Sequence, residues 1–240
     1  PSVLASSRGQ KRMRDLAEKM INNYRANPNK SQYNTVIRLL VENENLSEFD
    51  RIQEATAFIV AGYDTTGSTL ASILVLLAKN PRHAEKLRQE LVDVPCEEWD
   101  RISYYQYVIK EAMRMSPLSG IGPARQLGRD LVLPGGEKIP KGAIVATSQI
   151  LSFFNPEVFE NPHTFDPDRW ANATKAMNES VIPFALGKRN CIGQRLAIAE
   201  INSIIPHLLL KFRFEVEVEG AREFSLVWKY MGTKLKVSRV

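Results

Sequence analysis

The chain has 240 residues, of which 44% are hydrophobic and 25% charged, with a formal net charge of +5. That supplies apolar material for one large domain or two small ones, and so mild a basic excess fits a surface patch rather than a nucleic-acid tail. Two cysteines, Cys96 and Cys191, exclude a disulfide framework and make a reducing compartment the default, while His83, His163 and His207 lack zinc-site spacing.

The first two-thirds reads as helix. Met13, Leu16, Met20, Ile21 and Tyr24 form an apolar stripe opposite Arg12, Arg14, Asp15, Glu18 and Lys19, and Asn27-Pro28-Asn29 ends that helix. A short helix is predicted over 33–42. Ser47 with Asp50 forms an N-cap for a very long helix over 48–79, roughly 48 Å at 1.5 Å per residue. Its second half is apolar all round and is expected to be buried. Asn80-Pro81 breaks it and starts a helix over 81–92, with proline at the first position. A further helix covers 104–115. The longest uninterrupted apolar run, 73–78, falls far short of the ~18 residues needed to cross a bilayer. No signal peptide is visible. The opening on Pro1 rather than Met suggests a piece of a longer protein.

The texture then changes. Leu131-Val132-Leu133, Lys138-Ile139 and Ala143-Ile144-Val145-Ala146 read as short strands joined by Pro-Gly turns. A loop-rich stretch over 155–183 follows, then a helix over 192–211 that Pro206 is expected to kink or end early. Strand-like 212–218 and 234–240 close the chain. The fold class is mainly α with a small peripheral β-sheet.

The most informative stretch is 184–195. A lone cysteine, Cys191, sits between a glycine-bearing loop and a helical run, with Phe184, Gly187 and Arg189 before it and Gly193 after. A thiolate is the form that binds metal. At a helix start the unpaired N–H groups of Ile192, Gly193 and Gln194 would favour it. Gly187 and Gly193 allow close approach of a flat ligand. Arg189 offers a fixed charge to an anionic group, and Phe184 shields the sulfur. Cys96, before Trp99, has no such frame and reads as an inert thiol.

This loop resembles the haem-binding signature of the cytochrome P450 family. Three other stretches agree in order. Glu111-Ala112-Met113-Arg114, followed by Pro117, resembles the family's Glu-x-x-Arg helix. Phe165-Asp166-Pro167-Asp168-Arg169-Trp170 resembles its Pro-Glu-Arg-Phe meander. Ala61-Gly62-Tyr63-Asp64-Thr65-Thr66 resembles its oxygen-activating segment. The match runs over 47–240, and family members are roughly twice as long, so the resemblance is to the C-terminal half of the cytochrome P450 fold. It implies one partial domain over 1–240, with the oxygen-binding helix at 48–79, the Glu-x-x-Arg helix at 104–115 and the haem-binding loop at 184–193.

The resemblance assigns roles. Cys191 would be the axial thiolate of haem b, with Phe184, Gly187, Arg189 and Gly193 around it and Arg125 on a propionate. Asp64 and Thr65 would be catalytic, relaying protons on the oxygen side. Gly62 and the threonines weaken the helix there, and the Thr65 hydroxyl can bond the Ala61 carbonyl and open the helix. Glu111, Arg114 and Arg169 would form a buried ion-pair lock in which one carboxylate takes bidentate bonds from both arginines. Residues 118–122, 57–61 and 228–233 would border a substrate pocket. Lys188, Arg195 and Lys175 read equally as a basic face for an acidic electron donor or as scattered solubilising charge.

The function implied is a haem-thiolate monooxygenase. It would insert one atom of dioxygen into an apolar small molecule, with electrons from an NADPH-dependent reductase or a ferredoxin and no nucleic-acid partner. The alternatives are a peroxide-dependent lyase or isomerase of the same fold, against which the Asp64–Thr65 pair argues, and a truncated non-catalytic haem-binding fragment. The loop composition and Trp170 point to the cytoplasmic face of the endoplasmic reticulum membrane, through an anchor absent from this chain.

Overall fold

A computed structural model describes residues 7–27, 35–224 and 227–240. The chain divides into two compact units, Pro1–Thr65 and Thr66–Val240. The Pro28-Asn29 break and the expected start of the second helix at Tyr33 lie outside the described residues.

In the first unit, α1 spans Ser7–Ala26, α2 spans Val36–Glu42 and α3 begins at Glu48. Thr35 caps α2 by accepting from the Arg38 amide. Ser47 and Asp50 cap α3 reciprocally: the Asp50 amide donates to Ser47 Oγ at 3.1 Å and the Ser47 hydroxyl to Asp50 Oδ2 at 2.6 Å. The core here is Ala17, Ile21, Leu40 and Ala55. It differs from the predicted stripe, since Leu16 and Met20 are exposed and α1 turns Gly9, Ala17 and Ile21 inward. Small side chains let α1 approach its neighbours there, which a count of large apolar residues does not register.

α3 spans Glu48–Lys79 and carries the unit boundary within it. In the second unit α4 spans Pro81–Val92, α5 Ser103–Met115, α6 Gln149–Phe153, α7 Lys175–Ser180 and α8 Gln194–Lys211. Two 3-10 turns, Cys96–Arg101 and Pro167–Asn172, lie where only loop was expected, as does α7, while α6 precedes the loop-rich stretch. Ile73, Leu76 and Leu77 of α3 pack with Leu87, Leu91, Trp99, Ile109 and Ile201 in the main core. A second cluster gathers Phe153, Phe159, Trp170, Met177 and Val181.

By length and mean hydropathy, 1.3 over an 18-residue window, α3 is long and apolar enough to cross a membrane, although no uninterrupted apolar run is. The difference arises because a helix tolerates isolated Gly, Ser and Thr within its hydropathy average, whereas a run does not.

Among the described residues the strands form four separate two-stranded antiparallel sheets rather than one. β1 (Arg125–Gln126) pairs β4 (Ile144–Val145), and β2 (Leu131–Val132) pairs β3 (Lys138–Ile139). β5 (Phe212–Val218) pairs β8 (Lys234–Arg239), and β6 (Ala221–Phe224) pairs β7 (Trp228–Met231).

Pro206 does not end α8, which runs on to Lys211. Proline leaves the carbonyl of Asn202 without its helical donor. The carbonyls on either side of it carry side-chain donors as well: the Tyr105 hydroxyl gives to Ile201 O at 3.1 Å and the His207 ring to Ser203 O at 2.6 Å. The far end is held by buried Arg88, which donates to Leu209 O at 2.8 Å and Phe212 O at 3.2 Å.

Candidate haem-thiolate site

The cysteine loop is set by backbone bonds. The Cys191 amide donates to Phe184 O at 2.8 Å, Ala185 N to Ile182 O and Asn190 N to Gly187 O, both at 3.1 Å. Gly187 lies at φ 76 and Ala185 at φ 57, both left-handed. That conformation suits glycine and costs an alanine roughly 1–2 kcal/mol. The loop therefore folds sharply back, with Phe184 packed against the main core and the cysteine left exposed.

α8 begins at Gln194 with Gly193 as its cap, so Cys191 precedes the helix rather than opening it. The Gln194 amide donates to the carbonyl of Cys191, at 3.4 Å, and not to the sulfur. This corrects, for Gln194, the expectation that its amide is unpaired and points at the thiol. Gly193 lies close beneath it, since a Cβ there would stand 4.0 Å from Cys191 Sγ.

Between 186 and 196 the chain leaves large apolar side chains uncovered: Leu186 is 71% exposed, Ile192 84% and Leu196 63%. Arg189 and Lys188 are exposed too, and among the described residues they have no hydrogen bond or ion pair. A cavity of about 740 Å³ runs beside Cys191 along Gln194, Arg195, Ile198 and Asn202 to Asp100. A soft ligand atom, an apolar surround and a free guanidinium on one loop suit a flat apolar group with an anionic edge, the description of haem. Arg125 sits on β1, exposed, its guanidinium on the Ala124 carbonyl at 3.0 Å.

Asp64 and Thr65 lie on α3 in the first unit, both half-buried. The Thr65 hydroxyl donates to Ala61 O at 2.6 Å, and the helix stays continuous through Gly62.

Glu111 and Arg114 are fully buried on α5. Arg114 grips Glu111 with two bonds, Nε to Oε2 at 2.9 Å and Nη2 to Oε1 at 2.8 Å. Its remaining N–H groups reach the carbonyls of Phe153, Pro162 and Thr164 at 2.9, 2.7 and 3.3 Å. Arg169 gives Glu111 a single bond, Nε to Oε1 at 3.1 Å, and spends its other nitrogens on Glu160 O and Thr164 O. Only one arginine is therefore bidentate, contrary to expectation, because the second guanidinium also ties down the segment before the 3-10 turn. Two further donors were not anticipated: the Asp166 amide, 3.0 Å from Oε1, and the Trp170 indole, 2.9 Å from Oε2. The carbonyls leave no mark in a sequence. The tryptophan does, standing where the meander motif has phenylalanine.

Beside this node His83 Nδ1 meets the Tyr104 hydroxyl at 2.7 Å and its ring meets Phe165 edge-on. Burial pushes the His83 pKa below the usual imidazole value, against the pull of Asp168. Of the segments expected to border a pocket, 118–122 and 228–233 come together: the Trp228 amide donates to Leu118 O at 2.9 Å. Gly120 lets Ile150 pack close, since a Cβ there would stand 2.7 Å from Ile150 Cδ1 and the side chain would have to move. Lys175 pairs with Glu179 at 3.7 Å, whereas Lys188 and Arg195 are exposed. Cys96 is exposed, and a hydrogen bond to Glu97 raises its pKa.

Comparison with known proteins supplies the context. The family described as Cytochrome P450 matches residues 5–236. Rat cytochrome P450 4F5 is 39% identical over 191 residues, 74% of this chain and 36% of the relative. Pig taurochenodeoxycholic 6 alpha-hydroxylase is 34% identical over 196 residues, covering 75% and 38%. Human cytochrome P450 4A11 is 36% identical over 187 residues, covering 73% and 36%. The chain thus spans 36–38% of the length of these curated relatives. A solved cytochrome P450, CYP102L1, superposes with a TM-score of 0.83 at 22% identity, over 96% of this chain and 56% of that one, and so shares the fold. With the matched motifs, the mainly helical architecture and the superposition in agreement, the chain belongs to the cytochrome P450 family.

Proposed function

We propose that this chain is the haem-binding portion of a haem-thiolate monooxygenase acting on an apolar substrate. The observation that carries the reading is the Cys191 loop, where a folded-back backbone presents an exposed thiol amid uncovered apolar side chains and a free arginine. Cys191 Sγ would ligate the iron of haem b. Phe184, Gly187 and Gly193 would shape the loop beneath it, and Arg189 and Arg125 would hold propionates. When bound, the haem supplies dioxygen activation, with a thiolate ligand that favours O–O cleavage. Glu111, Arg114 and Arg169 would hold the fold around the loop without touching the reacting atoms.

On the oxygen side Asp64 and Thr65 would handle protons. The Thr65 hydroxyl proton is committed to Ala61 O, so a relay through Thr65 runs by its oxygen accepting a hydrogen bond. Asp64 is then the group that exchanges protons with solvent. Lys188 and Arg195 suit an acidic reductase or ferredoxin, while Lys175 is engaged by Glu179. The pig relative's name, a hydroxylase of taurochenodeoxycholic acid, agrees with oxygen insertion into a largely apolar molecule. The likeness to cytochrome P450 4F and 4A relatives supports the reading that the whole protein works at the endoplasmic reticulum membrane.

The test is the spectrum of the reduced, carbon-monoxide-bound protein, taken on this chain and on a form extended to the length of its relatives. A strongly red-shifted Soret band that disappears in Cys191→Ser is expected. An extended form without that band sinks the proposal.

A further inference from the structure

The Glu111 carboxylate accepts five hydrogen bonds, unequally shared. Oε1 takes Arg114 Nη2, Arg169 Nε and the Asp166 amide, whereas Oε2 takes Arg114 Nε and the Trp170 indole. The cluster is shut off from bulk solvent, since Glu111 and Arg114 are fully buried and Trp170 is 3% exposed. A carboxylate held by one guanidinium alone keeps a rotation that exchanges its oxygens. A donor fixed on one oxygen removes that freedom. Trp170 is itself wedged in place, with Phe159 tilted at 6.0 Å on one side and the Lys110 ammonium 4.2 Å over its ring. An indole whose N–H gives to a carboxylate is more electron-rich, so its face binds the ammonium better.

We propose that Trp170 is a fourth member of the buried node, a positioning residue whose indole N–H pins Glu111 so that Arg169 and the Asp166 backbone meet the same oxygen. It does what phenylalanine at this position cannot. Through Glu111 it joins α5 to the Pro167–Asn172 turn and to the second core cluster, in which its ring is packed. The inference concerns the protein's own hydrogen bonding and stands whether or not the chain carries haem.

Trp99 is an internal comparator, because its indole donates to a neutral carbonyl, Val94 O, at the same 2.9 Å. With indole-labelled full chain, the Trp170 N–H proton is expected further downfield than that of Trp99 and slower to exchange with solvent, by roughly tenfold or more for a charge-assisted bond. Trp170→Phe keeps the aromatic ring and loses only the donor side. It is expected to shift the Nε–H signals of Arg114 and Arg169 and to lower the folding equilibrium constant roughly tenfold or more, beyond the effect of Trp99→Phe. A ring that merely fills space would leave both arginine signals in place. The proposal is overturned if the Trp170 proton exchanges as fast as that of Trp99, or if Trp170→Phe leaves the arginines unmoved. Should the variant not fold, the wild-type indole spectrum decides alone.

Discussion

Glu111 and Cys191 both match family motifs, yet the chain treats them in opposite ways. Glu111 is fully buried and meets five donors supplied by the protein itself. Cys191 is exposed, in a loop whose backbone is well bonded but whose sulfur, arginine and apolar side chains face outward. One region is complete in itself. The other leaves its reactive and charged groups uncovered, as the proposed haem site would require. A buried charge must be satisfied at the moment of folding, whereas a ligand site keeps its affinity by leaving soft, apolar and charged groups uncovered. Damage should therefore appear as lost stability at the first region and as lost ligand binding at the second.

The largest break in that comparison is Glu111→Ala. It strands Arg114 among carbonyls in a dry core and should cost on the order of 3–5 kcal/mol. Urea unfolding should show the loss, and the haem content of the purified protein should fall to near zero. A variant that loads haem normally would remove the node from any role in the site. Arg88→Ala comes next. Losing the donors to Leu209 O and Phe212 O should cost about 2 kcal/mol, read as a drop in the urea midpoint. It frays the end of α8 remote from Cys191.

Acid sharpens the contrast further. His83 is held neutral by burial, with its pKa depressed. The unfolded chain then binds the extra proton first, so this stabilisation is complete above about pH 6.5 and is lost as pH falls through the depressed folded value. Thermal melts should show a declining midpoint over that window, and His83→Gln should flatten it. The smallest effect on stability belongs to Cys191→Ser. An exposed sulfur gives up little, within about 0.5 kcal/mol, while iron ligation should vanish. A large drop in the urea midpoint for Cys191→Ser would mean that the thiol is structural and the comparison is misdrawn.

The parts legible in the sequence share a local cause. The Ser47–Asp50 box, Pro81 at a helix start and the period of α5 act through neighbours along the chain, so pattern alone predicts them. The helix after the cysteine was mis-started by two residues, because Gly193 caps it and that choice depends on how the loop folds back onto Phe184. Pro206 did not end the helix early, and the packing around it, including Tyr105 on the adjacent Ile201 carbonyl, comes from residues remote in the sequence. The β6–β7 hairpin and the short helices after Phe154 have too few residues for a period to show.

The sequence by itself determined the family, the mainly helical class and the motif-bearing loop proposed as the site, because a thiol, an arginine and glycines at fixed spacing are covalent facts. Tertiary structure decided which of those groups are satisfied. It gave Arg114 two bonds to Glu111 and Arg169 one, recruited the Trp170 indole and the Asp166 amide, and left Cys191 facing out. The physical reason is that a buried charge is completed by partners from distant segments: Arg114 takes three backbone carbonyls, and Glu111 takes a remote indole, a second arginine and a backbone amide. Such groups recur along the chain, and only the fold chooses which of them arrive.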